Sequence, residues 1–167
     1  MRKSRFKKHR GAGVLFWRVG TDGKVEILLG LRSQGVSHAP GVWSTFGGSR
    51  DDIDDSVTDN ALREGYEETT GRKTTDARLH GSFFPPQNYH FDPKQRARLF
   101  FPLAYDFTTF FVQVIRPNPG WPVRNWEHDE LRWFGLKELP KPLHWEAMRV
   151  IAVFRIGLLF RRERTGG

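Results

Sequence analysis

The sequence predicts a single-domain mixed α/β fold, a mixed sheet covered by a few helices, and three observations predict it. Seven short runs rich in Val, Leu, Phe and Trp, set apart by turn residues, read as strands. Only two segments keep helical spacing, too few for a doubly wound parallel sheet. The chain has 167 residues, 38% of them hydrophobic and 14% aromatic, enough for one buried core and too few for two large catalytic domains.

The elements follow in order. Gly11 to Val19 is an apolar run and a strand, and Asp22-Gly23 is the turn that returns the chain into a second strand, Val25 to Leu31. A polar stretch, residues 32–41, leads to a short extended piece, Val42 to Phe46, ending in Gly47-Gly48. These glycines allow close backbone approach or positive φ. After an acidic loop, a helix is expected from about Ser56 to Thr70, with Asp55 or Ser56 as its cap. Leu79 to Phe84 reads as a strand, and Pro85 to Arg96 as a long loop of the kind that often carries function. Leu99 to Tyr105 and Phe107 to Ile115 read as strands of one bent hairpin. Residues 116–126 form a Pro- and Gly-rich loop, and Leu131 to Phe134 is a short strand. Leu143, Ala147, Val150, Ile151, Phe154 and Leu158 keep helical spacing over a last helix, 143–162.

Composition excludes several function classes. There is no cysteine, so no disulfide framework, zinc ribbon or thiol chemistry. No apolar run approaches the roughly 20 residues of a membrane span. The basic start is not followed by a signal-peptide core, because Arg18 and Gly20 interrupt the first apolar run. The expectation is a soluble, cytoplasmic protein with no membrane partner. The net charge of +8 is unevenly placed: residues 1–10 hold six basic side chains and no acid, and 161–164 hold three basic and one acidic. The body, residues 11–160, is therefore neutral, between a basic N-terminal tail and a C-terminal tail, 161–167. Such tails read as solubilising termini, or as tethers for RNA or another anionic surface.

Chemistry is concentrated in one window. Eight of the 19 acids lie between Asp51 and Glu68, where Arg63 is the only base. Glu64, Glu67 and Glu68 stand at i, i+3 and i+4, so their carboxylates share one helix face, with Leu62 and Tyr66 opposite. Like charges at this spacing repel by a few tenths of a kcal/mol per pair. A divalent cation offsets that repulsion. Oxygen ligands without cysteine select Mg²⁺ or Mn²⁺, which take their remaining ligands from water and substrate phosphates. The reaction this suits is attack of activated water on phosphorus.

The run from Gly48 through Asp55, Arg63-Glu64, Glu67-Glu68 to Gly71 resembles the Nudix box, G-x5-E-x7-R-E-U-x-E-E-x-G-U, with U a bulky apolar residue. Arg63, Glu64, Glu67 and Glu68 match, and Asp55 stands where the box has its first Glu. Three departures are visible: one extra residue between Gly48 and Asp55, one between Glu68 and Gly71, and Gly65 in place of the first U. The stretch from Glu127-His128 through Trp133 to Glu138-Leu139 resembles the family's late E-H-x-x-x-x-W-x-x-x-x-E-L segment. The resemblance implies an α/β/α sandwich and a Mg²⁺-dependent hydrolase that cleaves the pyrophosphate bond of a nucleoside diphosphate joined to another moiety. It implies that Glu64, Glu67 and Glu68 are catalytic and hold the metal, one of them also activating water, with the Gly47 carbonyl as a further ligand. Arg63 would orient the glutamates and Glu127 would act as base or extra ligand. Asp55 divides between an orienting role and a plain helix cap.

Other residues are weaker candidates. Trp43, Tyr89 and Phe91 are the aromatics offered for stacking on a nucleobase, against the alternative that they are core. His90 and His128 read first as solvated, and Lys94, Arg96 and Arg98 as a charged loop rather than a phosphate site. The expected substrate is a nucleotide-type small molecule. The rival readings are a nucleotide- or RNA-binding domain with little catalysis, and pyrophosphate removal from RNA 5′ ends.

Overall fold

A computed structural model of the protein describes residues 9–75, 82–102 and 104–165, with side chains over residues 10–160 of these. Strand β1 (His9–Val19) is a near-continuous apolar run because it is covered on both faces. It is followed by β2 (Val25–Arg32), β3 (Trp43–Ser44), β4 (Phe46–Ser49), helix α1 (Val57–Thr70), β5 (Tyr89–Phe101), β6 (Tyr105–Val114), β7 (His128–Gly135) and helix α2 (Trp145–Thr165). The sheet runs β3-β2-β1-β6-β5, with β4 also on β1 and β7 on β2. β1 and β6 are parallel and the other pairs antiparallel, so the sheet is mixed, as expected.

Alternation along the strands builds two cores. Ala12, Val14, Phe16, Leu28, Phe110 and Val112 point toward α1, where Ala61 and Tyr66 meet them. Leu15, Trp17, Ile27, Leu29 and Phe111 point the other way, toward Val150, Ile151 and Phe154 of α2. The sheet is thus sandwiched between the two helices.

The fork that makes room for a site lies on β1. Its residues Gly11–Val14 pair with β4, and Trp17–Val19 pair with β2. Glycine is required where β4 crosses: a Cβ on Gly47 would lie 2.7 Å from the Gly13 Cα and 2.8 Å from the Ala12 carbonyl oxygen. The Gly-Gly pair therefore sits inside a strand and serves close approach, not a terminating turn. Downstream, Ser56 caps α1, its Oγ accepting from the Asp59 N–H at 3.1 Å. Gly71, at φ 69°, closes the helix by donating its N–H to the Glu67 carbonyl at 2.9 Å.

Some expectations fail. Of the strand expected over Leu79–Phe84, residues 79–81 lie outside the described residues, and Ser82 and Phe83 form a helical turn. The loop expected over Pro85–Arg96 is β5 from Tyr89 onward. β5 is an edge strand with one solvent face, so its sequence is polar, and Pro93 sits where the register breaks between Phe91 and Arg96. Ordered elements also reach into both segments read as tails: β1 begins at His9, and α2 runs to Thr165, while residues 1–8 lie outside the described residues.

Candidate active site

The acidic face of α1 packs toward β4, and its organiser is Arg63. This side chain is 4% exposed and reaches four acceptors. Its Nε and one Nη donate to the two oxygens of Asp54 at 2.8 and 3.0 Å. The guanidinium also meets Glu64 at 2.9 Å, Glu67 at 3.4 Å and the Ser49 carbonyl at 3.0 Å. Burial alone would lower its pKa. The hydrogen bond to Asp54 and the charges of Glu64, Asp54 and Glu67 outweigh that and raise it. The expected ion pair within the acidic cluster is therefore present.

The orienting acid is Asp54, not Asp55. Asp54 is buried, takes both guanidinium bonds and accepts from the Asp51 N–H at 2.8 Å, whereas Asp55 is exposed. Counted from Gly48, Asp54 restores five intervening residues, so the extra residue lies between this acid and Arg63. An acidic pair Asp54-Asp55 left the choice to spacing alone, and burial decides it.

The three glutamates differ. Glu68 is 4% exposed, and its Oε1 accepts from the Gly47 N–H at 2.9 Å. Burial, then the charges of Glu64 and Glu127, hold its carboxyl well above the ordinary range. Glu64 is pushed up to about 7, first by burial, with the nearby Arg63 opposing and Glu67 and Glu127 adding. Glu67 accepts from the Thr74 N–H at 3.2 Å. Glu127 comes from the turn before β7, its carbonyl accepting from the Ser33 N–H at 2.8 Å. Burial raises its carboxyl, with Arg32 and Lys73 opposing and Glu67 adding. The structure thus brings Glu64, Glu67, Glu68 and Glu127 together across two elements far apart in sequence. It also places Arg32 and Lys73 beside them, two cations that no local motif pointed to.

Whether these residues fit a divalent cation is answered by one atom. Glu68 Oε2 is buried and has no hydrogen-bond partner, in a cluster richer in carboxylates than in cations. Such an orphaned oxygen carries a cost that a bound cation removes. Among the described residues no three His, Asp or Glu side chains already surround one point, because Arg63 holds Glu64 and Glu67 and Gly47 holds Glu68. The donor chemistry fits a hard divalent cation.

The sequence matches the NUDIX domain family model over residues 7–154. The chain belongs to the Nudix family. Nudix hydrolases, the enzymes of this family, act on phosphoric anhydrides, and the chain falls in that enzyme class. No curated protein matches the chain. Solved structures do. A Caenorhabditis elegans Ap4A hydrolase in a binary complex is 19% identical with a TM-score of 0.64, over 90% of this chain and 98% of that one. The Mycobacterium smegmatis Nudix hydrolase RenU is 22% identical with a TM-score of 0.64, over 93% and 87%. The Nudix domain of Shewanella oneidensis NrtR, complexed with ADP ribose, is 15% identical with a TM-score of 0.56, over 90% and 88%. These likenesses are of fold.

The Nudix frame also explains Gly65. Its position faces β1, where a Cβ would lie 2.7 Å from Val14 Cγ2 and 3.3 Å from Phe16 Cζ. Large side chains on the sheet fill the space that a bulky helix residue would take.

The stacking candidates are overturned. Trp43 is buried in the α2-side core, edge-on to Phe134 at 4.9 Å. Tyr89 is buried in the α1-side core, its hydroxyl accepting from the Asn118 N–H. Phe91 packs on Phe110 at 5.5 Å. All three lie in strands with an inward face, which for Tyr89 and Phe91 a loop reading of 85–96 concealed. Lys94 and Arg96 line a cleft of about 360 Å³ with Val153 and Ile156 of α2, on the other face of the sheet, and Arg98 is paired with Asp106 at 2.8 Å. His90 is exposed, as expected, but His128 is fully buried rather than solvated.

Proposed function

We propose that this Nudix protein is a divalent-metal-dependent hydrolase that cleaves the pyrophosphate bond of a nucleoside diphosphate joined to another moiety. The single observation that carries it is the buried Glu68 with its unpartnered oxygen, set among Glu64, Glu67 and Glu127. Glu64, Glu67 and Glu68, with the Gly47 carbonyl, would hold Mg²⁺ or Mn²⁺. Bound there, the cation supplies positive charge against phosphate oxygens and acidifies water. Asp54 keeps Arg63 in place, and Arg63 sets the spacing of Glu64 and Glu67. Glu127, brought beside the carboxylates by the turn before β7 and raised by burial, accepts the proton of the attacking water. Arg32 and Lys73 stand beside it to meet anionic substrate oxygens.

A nucleobase needs an aromatic face open to solvent. Trp126 precedes Glu127 in the chain and is 66% exposed, while its carbonyl is held by the Ser33 hydroxyl at 2.8 Å. It is the residue we assign to base stacking in place of Trp43, Tyr89 and Phe91.

The test is a screen of nucleoside triphosphates, dinucleoside polyphosphates, nucleotide sugars and 5′-triphosphate RNA with Mg²⁺ or Mn²⁺, reading phosphate-bearing products. Turnover of at least one class, abolished by chelator, is expected. Undiminished turnover in excess chelator, or binding without cleavage across the panel, overturns this reading.

A further inference from the structure

Beneath the carboxylates, on the side away from solvent, lies a polar side chain that the reaction above does not use. His128 opens β7 and is 0% exposed. Neither of its ring nitrogens has a hydrogen-bond partner. The nearest carboxylate oxygen is Glu68 Oε2, itself unpartnered, 3.4 Å from His128 Nε2. Each buried polar group left without a partner costs about 1–3 kcal/mol. Two such atoms 3.4 Å apart, Nε2 and Oε2, call for a reason.

The surroundings are shaped to the imidazole. Phe46 meets the ring edge-on at a centroid distance of 5.5 Å. Across the sheet, β2 carries Gly30, and any Cβ there would overlap His128 Cδ2. The backbone is pinned on both sides: the His128 N–H donates to the Asn125 carbonyl at 3.3 Å, and the Asn125 amide donates to the Glu68 carbonyl. Three elements thus hold the ring with Nε2 3.4 Å from one carboxylate oxygen. A Leu or Val pocket would need neither the glycine nor the imidazole.

We propose that His128 is a positioning residue for Glu68. The Gly47 N–H already donates to Oε1 at 2.9 Å, and His128 Nε2, 3.4 Å from Oε2 and not bonded to it in this arrangement, would donate its N–H to that oxygen when the carboxylate turns to take a cation. Two donors on opposite oxygens fix the carboxylate plane and leave the outward lone pairs for the cation. Gly30 is the space that makes this possible. The proposal rests on the metal-dependent reading above. Partners behind a ligating group typically change metal affinity 10- to 100-fold when removed.

The test measures Mn²⁺ binding to the full chain by calorimetry, with melting followed in parallel, for wild type, His128→Leu and His128→Gln. The Leu variant removes the donor, and Gln returns an N–H at similar reach. Expected is a loss of Mn²⁺ affinity of roughly 10- to 100-fold in Leu, mostly recovered in Gln. A folded Leu variant with wild-type affinity overturns the role of His128 alone. A wild-type protein that binds no Mn²⁺ overturns the metal-dependent reading and this proposal with it. Should the Leu variant not fold, nitrogen NMR of the wild-type imidazole decides. A protonated Nε2 whose shift moves on Mg²⁺ addition supports the proposal. An Nδ1–H tautomer with Nε2 unmoved by Mg²⁺ overturns it.

Discussion

The two helices cover the same sheet and bury opposite kinds of surface. α2 turns Ala147, Val150, Ile151 and Phe154 inward, all hydrocarbon. α1 buries Asn60, Arg63, Glu68 and Thr69 beside Ala61 and Tyr66. Burying hydrocarbon is favourable by about 25 cal/mol per Å², whereas burying charge is costly unless each group is paired. Arg63 and Asp54 pair well, and Glu68 is only half satisfied. The α2 face therefore supplies stability, and the α1 face spends some of it to keep carboxylates poised.

The largest expected effect separates the faces outright. Glu67→Gln keeps shape and removes charge. Turnover with Mg²⁺ should fall by about three orders of magnitude, roughly 4 kcal/mol of barrier, with melting essentially unchanged. Phe154→Ala should do the reverse, costing about 3–5 kcal/mol of stability in denaturant titration while Mn²⁺ affinity holds. A Glu67→Gln enzyme of near-normal turnover would erase the division of labour.

The next effect is on pH. The Glu64 carboxyl rises from the ordinary 4.5 to about 7 in the fold. The folded state therefore holds this proton longer than the unfolded chain does. Its contribution is full below about 4.5 and is lost as pH rises through about 7. Arg63 faces this group and opposes the shift, while Glu67 and Glu127 reinforce it. His128, lowered to about 4 by burial and then by Arg32, has the opposite slope, losing stability as pH falls below its ordinary 6.5. It is common to wild type and Glu64→Gln, so it cancels in their difference. Without metal above pH 7, Glu64→Gln should be the more stable protein, by up to about 3 kcal/mol or roughly 5–10 °C in Tm. Equal melting of the two at pH 5 and pH 8 would mean that Glu64 is not held in a charge-averse place.

How much of this was legible in the sequence follows the same division. Strands β1, β2, β6 and β7, the mixed sheet, both helices and the Arg63–Glu68 cluster were readable because periodicity and local spacing carry them. Tyr89 and Phe91 were misjudged because an edge strand alternates polar and apolar residues, and Pro93 made it read as a loop. Asp54 was missed because adjacent acids differ only in which one the fold buries. Arg32 and Lys73 join the site through chain reversals that no local pattern encodes. His128 did carry a signal, since it directly follows the glutamate of the late motif.

The smallest effect tests why α1 can approach the sheet at all. At Gly65 a helix former would gain about 1 kcal/mol in propensity over glycine. The approach of a Cβ to 2.7 Å from Val14 Cγ2 and 3.3 Å from Phe16 Cζ works against that gain. Overpacking a core typically costs 1–3 kcal/mol. Gly65→Leu should therefore destabilise by about that amount, since it adds more atoms than the β1 face can absorb. Combining it with Phe16→Leu should recover part of the loss, because the two side chains compete for one volume and neighbours of this kind are not additive. If Gly65→Leu stabilises the protein by itself, α1 does not sit as close to β1 as its packing demands. The carboxylate face would then be displaced from β4 with it.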